Sequence, residues 1–328
     1  MGEHEKKKIL GQYNTTSSKW LLPQIIDFIE AADPSIVVDP FAGDGHLLDA
    51  VKSVFKVRTS GLDIDAKKGW IKNDSLIGVP RYSKGLILTN PPYLSNYSAK
   101  RKGLYSNVSK YFESNLKHDD LYRIALDACL EKNNYVIAII PETYINSSYT
   151  KERAQIITII EDSLFEDTET PVCIVCFGPR KSQKGAKIYI GERFVGFFDN
   201  LLQKKISPTN VFPIRFNDSK GKIGLRAIDM PNPSKRISFL TREELGYDMD
   251  KIKVSSRLIT FISIPTAFRD KTSSVIERAN EILSVYRKET HDVLLSPFKG
   301  NNKEDLRRRR LDYSTARGIL ETALALEV

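Results

Sequence analysis

The segment Ser35-Ile-Val-Val-Asp-Pro-Phe-Ala-Gly-Asp-Gly-His-Leu-Leu-Asp-Ala-Val-Lys-Ser-Val54 predicts a strand, a glycine turn and a helix. The apolar run that ends at Asp39 is typical of a short buried strand. Gly43 and Gly45 permit a tight turn and let a ligand approach the backbone. Apolar residues then recur at helical spacing from residue 47 to residue 54. This order predicts the opening unit of a nucleotide-binding α/β fold with a mostly parallel sheet.

The predicted glycine turn carries carboxylates. Asp39 and Asp44 would repel a phosphate, and no lysine follows Gly45, so an ATP phosphate cradle is excluded. Carboxylates favour a ligand with an ammonium group, hydroxyls or a positive centre. A second predicted strand, residues 57–62, leads to Asp63, the position where such folds bind ribose hydroxyls. The alternative for the turn alone is a loop that packs a helix on the sheet.

A third predicted strand, residues 85–89, ends at Asn90-Pro91-Pro92-Tyr93. The Asn90 side-chain oxygen and the Pro91 carbonyl can each accept one hydrogen of an exocyclic amine. The two prolines restrict the backbone and keep both acceptors aimed. Tyr93 offers a ring face on which a base can stack. Taken alone, the tetrapeptide is equally compatible with a strand that ends in a Pro-rich turn.

In this order, residues 39–45, 62–65, 73–76 and 90–93 resemble the motifs of amino-group DNA methyltransferases that use S-adenosyl-L-methionine. Within these enzymes the chain looks like the gamma class of adenine-N6 methyltransferases, because residues 10–15 are similar to its N-terminal cofactor segment. The resemblance covers residues 9–180. It implies a Rossmann-like catalytic domain in residues 1–180 and a smaller target-recognition region in residues 181–328, separated at the polar stretch 178–185.

The resemblance implies transfer of a methyl group from S-adenosyl-L-methionine to the exocyclic amine of a flipped adenine in double-stranded DNA. The catalytic residues would be Asn90, Pro91, Pro92 and Tyr93, with Tyr93 and Phe177 stacking on the target base. Asp63 would contact the ribose of the cofactor and Asp74 its adenine amine. The implied cofactor-binding residues are Tyr13, Thr15, Asp39, Phe41, Gly43, Asp44, Gly45, Asp63, Ile64, Asp74, Ser75 and Asn90.

Two basic stretches are candidate DNA contacts. Between residues 93 and 119, basic residues alternate with tyrosines, which predicts a long polar loop beside the site. We expect Lys100, Arg101 and Lys102 to contact phosphates there; a solvated loop is the alternative. Arg307 and Arg308 are further expected contacts, within a helix predicted over residues 303–326. Charge runs on helices are usually solvated, so these two interpretations stay open.

The composition fits a polyanionic partner. The chain has 50 Lys and Arg against 41 Asp and Glu, a net charge of +9, and this excess fits DNA, RNA or a membrane surface. No apolar run reaches the ~20 residues of a membrane span. Three cysteines favour a reducing cytoplasm. The resemblance implies a cytoplasm of a bacterial, phage or archaeal type. Cys173 and Cys176 share one predicted strand and point to opposite faces, so we expect no metal.

Other functions remain open at this point. An RNA-base or protein-glutamine methyltransferase would use the same chemistry at Asn90. A cytosine-N4 enzyme usually begins its motif with serine, so Asn90 favours adenine. A catalytically silent DNA-binding subunit is the alternative from another class. The basic C-terminal region favours DNA and is compatible with a restriction-modification system that includes a cognate endonuclease.

Overall fold

The computed structural model describes residues 18–65, 68–165, 170–246, 258–304 and 306–328. The chain divides into two compact units, Met1–Phe198 and Asp199–Val328. Tyr13 and Thr15, the two predicted cofactor contacts nearest the N-terminus, lie outside the described residues. None of the helices in the described ranges is long and apolar enough to cross a membrane.

The first unit alternates strands and helices around one large sheet. Its elements are α1 (Pro23–Ala32), β1 (Ile36–Asp39), α2 (His46–Val54), β2 (Arg58–Asp63), β3 (Ile71–Lys72), β4 (Gly85–Thr89), α3 (Asn96–Arg101), α4 (Tyr105–Ser114), α5 (Leu121–Lys132), β5 (Tyr135–Pro141), β6 (Ala154–Ile159), β7 (Val172–Phe177), β8 (Lys187–Ile190) and β9 (Arg193–Phe197). The strand order is β3-β2-β1-β4-β5-β7-β6-β8-β9. β7 and β9 run opposite to the other strands. The predicted mixed α/β, Rossmann-like domain is confirmed.

The central strands lie in the core of this unit. Every residue of β4 and of β7 is buried. Strands covered on both faces read as continuous apolar runs, which is why the sequence showed no alternation here. One side of the sheet packs against α1 and α2 through Ile25, Ile29 and Leu48, together with the fully buried Trp20. This packing holds the carboxyl ends of β1, β2 and β4 side by side.

The division between the units lies further along the chain than the boundary predicted between residues 180 and 181. β8 pairs in parallel with β6, and β9 pairs with β8, so both strands complete the first sheet. Residues 156–159 of β6 would otherwise form an exposed edge of apolar side chains. The polar stretch 178–185 is therefore a connection within the first unit.

The second unit is built on a smaller antiparallel sheet. Its elements are β10 (Arg215–Phe216), β11 (Ile223–Arg226), β12 (Ser238–Thr241), α7 (Arg242–Leu245), β13 (Ile259–Ser263), α8 (Thr272–Thr290), β14 (Ser296–Asn301), β15 (Arg307–Arg310) and α9 (Tyr313–Ala325), and α6 (Phe198–Gln203) spans the division. Four strands pair in the order β10-β13-β11-β12, and β14 pairs with β15. The smaller C-terminal unit expected from the sequence is thus present.

The helix predicted over residues 303–326 is wrong in its first part. Residues 307–310 form β15, with Arg310 opposite Ser296 and Arg307 opposite Asn301. The helix α9 begins only after Asp312, whose side chain accepts the backbone N–H of Thr315 as an N-terminal cap. Pairing with the preceding strand β14 in a hairpin overrides the high helix propensity of arginine in this run.

Candidate active site at the carboxyl edge of the sheet

Three predicted site residues meet at one edge of the large sheet. Asp39 ends β1, Asp63 ends β2, and Asn90 follows β4. β1 lies between the other two and pairs in parallel with both, so their carboxyl ends are neighbours. In open α/β sheets, ligands bind in the crevice outside this edge.

Asp39 is a buried carboxyl group with an altered affinity for protons. Its side chain is 2% exposed and accepts the backbone N–H of Phe41 at 2.9 Å. Burial raises the pKa of Asp39 to about 7, with a further increase from the nearby Asp63, while the Phe41 hydrogen bond opposes the rise. A cationic group placed beside Asp39 would favour the ionised carboxylate.

The glycine turn is tied to the end of β2. Gly43 and Gly45 have positive φ angles of 52° and 86°, the left-handed region that glycine adopts without strain. The Gly43 N–H donates to Asp63 Oδ2 at 2.9 Å, and the Asp65 N–H donates to Asp63 Oδ1 at 2.8 Å. Each carboxylate oxygen keeps a further lone pair that can accept from a ligand hydroxyl. Ile64 stands beside them, 54% exposed.

Trp70 completes the glycine turn, and the sequence analysis missed it. Its Nε1 donates to the Gly43 carbonyl at 2.9 Å. A Cβ atom added to Gly45 or Gly61 would come within 2.8 Å or 2.4 Å of the Trp70 ring. The ring therefore packs on both glycines and requires them to be small. No periodicity or motif surrounds Trp70, so no local signal could have identified it.

Other predicted cofactor residues already have protein partners. Asp44 forms an ion pair with Lys68. Asp74 Oδ2 accepts from Lys110 Nζ at 2.8 Å and from the Tyr111 hydroxyl at 3.0 Å. The buried Ser75 accepts from Asn73 through its hydroxyl oxygen at 2.8 Å. Phe41 is half-buried in the turn.

The stretch predicted as a polar loop folds as α3 and α4. Val108, Tyr111 and Phe112 form one apolar face of α4 and pack with Leu121 and Ile124 of α5. The loop prediction was wrong because the few apolar positions, which lie on a single helix face, are outnumbered by polar residues in this stretch.

The basic residues of this stretch remain on the surface. Lys100, Arg101 and Lys102 are all exposed. Lys100 lies over the Tyr105 ring at 4.8 Å, and Arg101 lies over the Tyr97 ring at 5.9 Å. Cations on aromatic faces keep their charge available, so a phosphate contact stays a prediction.

The tetrapeptide is held by the Tyr93 hydroxyl. This group lies 2.5 Å from Asn90 Oδ1 and 2.7 Å from the Ile139 carbonyl oxygen. A phenol has one proton, so it donates to one of these oxygens at a time. Pro91 and Pro92 are buried beside Asn90. The Tyr93 side chain is half-buried and packs against the core of the first unit.

The structure does not bring Phe177 together with the tetrapeptide. β7 is antiparallel to β5, and Phe177 pairs with Val136 near the start of β5. The side chain is 1% exposed and packs edge-on against Tyr144, with ring centroids 6.2 Å apart. The direction of β7, which a single sequence does not reveal, explains the difference from the predicted position.

A different aromatic residue lies beside Tyr93. Phe165 precedes β7 and is buried, and its ring meets the Tyr93 ring edge-on with centroids 6.3 Å apart. β7 begins at Val172, opposite Pro141 at the carboxyl end of β5, so the chain before β7 comes to the same edge as Asn90. The sequence signal for Phe165 was its position in the run Ser163-Leu-Phe165, shortly before the apolar strand β7.

The two predicted arginine contacts belong to β15 in the second unit. Arg308 donates through Nε to the Asp229 carbonyl at 2.8 Å, and its guanidinium lies over the Phe298 ring at 4.8 Å. Arg307 pairs with Asn301 across the hairpin. The Arg308 side chain is thus engaged in holding its own unit together. Among the described residues, no group of three His, Cys, Asp or Glu side chains could hold a metal ion.

No model of a known protein family matches the chain, and no curated protein matches it in sequence. Several solved structures match part of the chain at low TM-scores. A Listeria monocytogenes protein assigned to the class I S-adenosylmethionine-dependent methyltransferases is 16% identical, with a TM-score of 0.34 over 53% of this chain and 66% of that one.

Two further similar structures come from restriction systems. A modification subunit assigned to a type I restriction enzyme of Vibrio vulnificus is 12% identical, with a TM-score of 0.38 over 81% of this chain and 58% of that one. A type I restriction-modification methyltransferase subunit of Streptococcus thermophilus is 14% identical, with a TM-score of 0.38 over 55% of this chain and 47% of that one. The chain spans less than two thirds of each of these three proteins. Likenesses of this size carry no argument about activity.

Proposed function

We propose that the protein is a site-specific DNA methyltransferase that uses S-adenosyl-L-methionine to methylate the N6 amine of adenine. The observation that carries the proposal is the meeting of Asn90 with Asp39 and Asp63 at the carboxyl edge of the sheet. An amide acceptor for an exocyclic amine and two carboxylates for a cationic, hydroxyl-bearing cofactor thus share one crevice.

The residues of the edge fit this cofactor. The buried Asp39, with its raised pKa, would hold the ammonium group, because a cation restores the ionised carboxylate. Asp63 would accept from the ribose hydroxyls with its remaining lone pairs. The positive φ angles of Gly43 and Gly45 form the tight turn, and the cofactor would approach the backbone at Gly43, since the Trp70 ring covers Gly45. Asp74 would exchange its hydrogen bond from Lys110 for a hydrogen bond from the adenine amine of the cofactor.

When bound, the cofactor supplies a methyl group on a sulfonium, which is an excellent leaving group. The protein therefore contributes positioning and electrostatics. Asn90 Oδ1 and the Pro91 carbonyl would accept the two amine hydrogens, which directs the nitrogen lone pair toward the methyl carbon. Asn90 can keep its Tyr93 hydrogen bond while doing so, since an amide oxygen has two lone pairs. The tetrapeptide contains no general base, and none is required if the proton leaves after methyl transfer.

The target adenine must leave the duplex to reach Asn90, at a cost of a few kcal/mol. The half-buried Tyr93 would supply the ring face for the target base, and the buried Phe165 ring, which packs edge-on against Tyr93, would hold that ring in place. The exposed Lys100, Arg101 and Lys102 come soon after the tetrapeptide in the chain. They would contact phosphates of the strand from which the adenine is extruded. The second unit would serve as the target-recognition region. A cognate endonuclease in a restriction-modification system is part of this proposal.

The test is methyl transfer from tritiated S-adenosyl-L-methionine to unmethylated duplex DNA, RNA and a protein extract in separate reactions, followed by nucleoside analysis. We expect label on N6-methyladenine from DNA. Asn90→Ala should lower the rate by about 10²–10³, as expected for loss of an aimed hydrogen-bonding group, while cofactor still binds. Asn107→Ala, an exposed asparagine on α4, is the matched control and should keep full activity.

Label confined to RNA or protein would replace the substrate by one of the alternatives that share the Asn90 chemistry. Full activity of Asn90→Ala would contradict the assignment of the tetrapeptide. Bound cofactor without label in any reaction would favour a silent DNA-binding subunit.

A further inference from the structure

One face of the four-stranded sheet in the second unit carries arginines. Arg215 on β10 lies opposite Ser263, and Arg226 on β11 lies opposite Ser238 and Ile259. Residues directly opposite each other in a sheet project to the same side, and alternate residues along β13 do so as well. The two arginines therefore share a face.

Arg242 reaches the same face from the start of α7. Its guanidinium lies 4.7 Å from the centroid of the Phe261 ring, and Phe261 lies opposite Gly224 in the register that includes Arg226. We name the surface formed by Arg215, Arg226 and Arg242 the arginine face. The other side of the sheet is apolar, with Ile223, Leu225, Phe239 and Ile262 at 0% exposure. On the arginine side, α7 covers Gly224 through Leu245 and Phe261 is also 0% exposed, so the three arginines surround α7.

The arginine face lacks the acidic partners that three other arginines of this unit have. Arg287 pairs with Asp229 and Asp292, Arg278 with Glu327, and Arg317 with Glu321. Within the described part of the chain, by contrast, no carboxylate forms an ion pair with Arg215, Arg226 or Arg242.

The hydrogen bonds of the arginine face go to neutral groups. Arg226 donates to the Ser238 hydroxyl at 3.3 Å, and Arg242 donates to the carbonyls of Ser219 and Gly221 at 2.6 Å and 3.1 Å. These bonds orient the guanidinium groups without neutralising their charge.

The flanking residues leave an excess of positive charge. Lys220, Lys222 and Arg236 join the three arginines of the face, and Asp218, Glu243 and Glu244 are the acidic neighbours among the described residues. Six basic against three acidic residues leave a local net charge of 6 − 3 = +3. Asp218 has its pKa lowered by hydrogen bonds from the Lys220 N–H and Ser263, and Arg215 adds to this effect.

We propose that the arginine face binds the phosphate backbone of duplex DNA, an inference that rests on the proposed function. Guanidinium groups match phosphate oxygens with paired donors and are favoured for nucleic-acid contacts. Lys222 directly precedes β11 and Arg226 ends it, about 14 Å apart at ~3.4 Å per residue, so this basic surface spans more than one phosphate.

The experiment measures the dissociation constant of a short labelled duplex as a function of salt, without methyl transfer. Arg215→Gln combined with Arg226→Gln should raise the dissociation constant about tenfold at 0.1 M salt. The slope of log affinity against log salt should fall by about 1.8, since each lost phosphate contact contributes about 0.9. Arg278→Gln, which removes an acid-paired arginine, should change neither quantity.

Arg215→Gln alone serves as the variant that should fold normally, because Arg215 is exposed and its side chain has no hydrogen bond within the described residues. Its salt slope should fall by about 0.9. Wild-type affinity and slope in the folded double variant would overturn the arginine face as a phosphate site. Losses seen only with single-stranded RNA would overturn the assignment to duplex DNA. If duplex binding depends on the arginine face but no DNA is methylated, the proposed function would be contradicted. This inference would still be supported.

Discussion

At the scale of single residues, the Tyr93 hydroxyl connects the tetrapeptide to β5. Tyr93→Phe removes the donor shared by Asn90 Oδ1 and the Ile139 carbonyl. Leaving a half-buried acceptor unpaired costs about 1–3 kcal/mol, so we expect a lower melting temperature. Loss of about 1 kcal/mol of orientation at Asn90 should lower turnover about fivefold.

Tyr97→Phe is the matched control for this hydroxyl, because its ring is 72% exposed. It should leave melting temperature and turnover unchanged. Wild-type turnover in Tyr93→Phe would mean that the ring alone matters at this position.

The raised pKa of Asp39 predicts a pH-dependent affinity for cofactor. The carboxyl has a pKa of about 7 in the folded protein, so it is mostly protonated at pH 6 and mostly ionised at pH 8. If the carboxylate holds an ammonium group, the dissociation constant should fall by up to about tenfold between these pH values. Titration calorimetry at pH 6, 7 and 8 checks this, with Asp39→Asn expected to give weak affinity that varies little with pH.

The same pKa shift acts on stability with a defined sign. As pH rises from 3.8, the unfolded chain loses the Asp39 proton before the folded protein does. The contribution of Asp39 to the free energy of unfolding therefore falls as pH rises from 4 to 7, by up to about 4 kcal/mol. Asp39→Asn should raise the melting temperature more at pH 8 than at pH 5. An equal effect at both pH values would mean that Asp39 is ionised in the folded protein throughout.

At the scale of elements, the glycine turn between β1 and α2 depends on Trp70. Gly61 has an ordinary φ angle, so Gly61→Ala introduces a clash with the Trp70 ring and Ala42 Cβ, and no backbone strain. Overpacking of this kind costs about 1–3 kcal/mol. We expect a lower melting temperature and weaker cofactor binding, because the ring also holds the Gly43 carbonyl.

Gly78→Ala provides the control for this substitution. A Cβ at Gly78 meets nothing within 4 Å, and its φ angle is ordinary too. It should leave both quantities near wild type. Equal melting temperatures for the two variants would show that Trp70 moves aside at no cost.

At the scale of the whole molecule, the division at Phe198 predicts how the chain tolerates truncation. A chain that ends at Phe198 keeps β8 and β9, and should unfold cooperatively and bind cofactor, while binding duplex DNA more weakly than the full chain. A chain that ends at Arg180 loses both strands and exposes the apolar edge of β6, so it should aggregate. Gel filtration and thermal melting followed by circular dichroism distinguish the two. Identical behaviour would place the boundary at the polar stretch instead.

The sequence by itself determined the α/β class, the order of the first strands and helices, and the positions of Asp39, Asp63 and Asn90 at the ends of three strands. These features could be predicted because they depend on local chemistry. Apolar runs, positive-φ glycines and rigid prolines act within a few residues. The convergence of Asp39, Asp63 and Asn90 also followed, since the carboxyl ends of adjacent parallel strands share an edge.

The tertiary structure alone decided the direction of β7, which buries Phe177 and brings Phe165 to the site. It also decided the partners of Asp74, the packing of Trp70 on the glycine turn, and the pairing of residues 307–310 as a strand. The partners of Asp74 and the packing of Trp70 depend on groups far apart in the chain, and the strand at 307–310 depends on its hairpin partner, residues 296–301. Their contacts form only after the sheet has assembled, so no local preference in a single sequence could predict them.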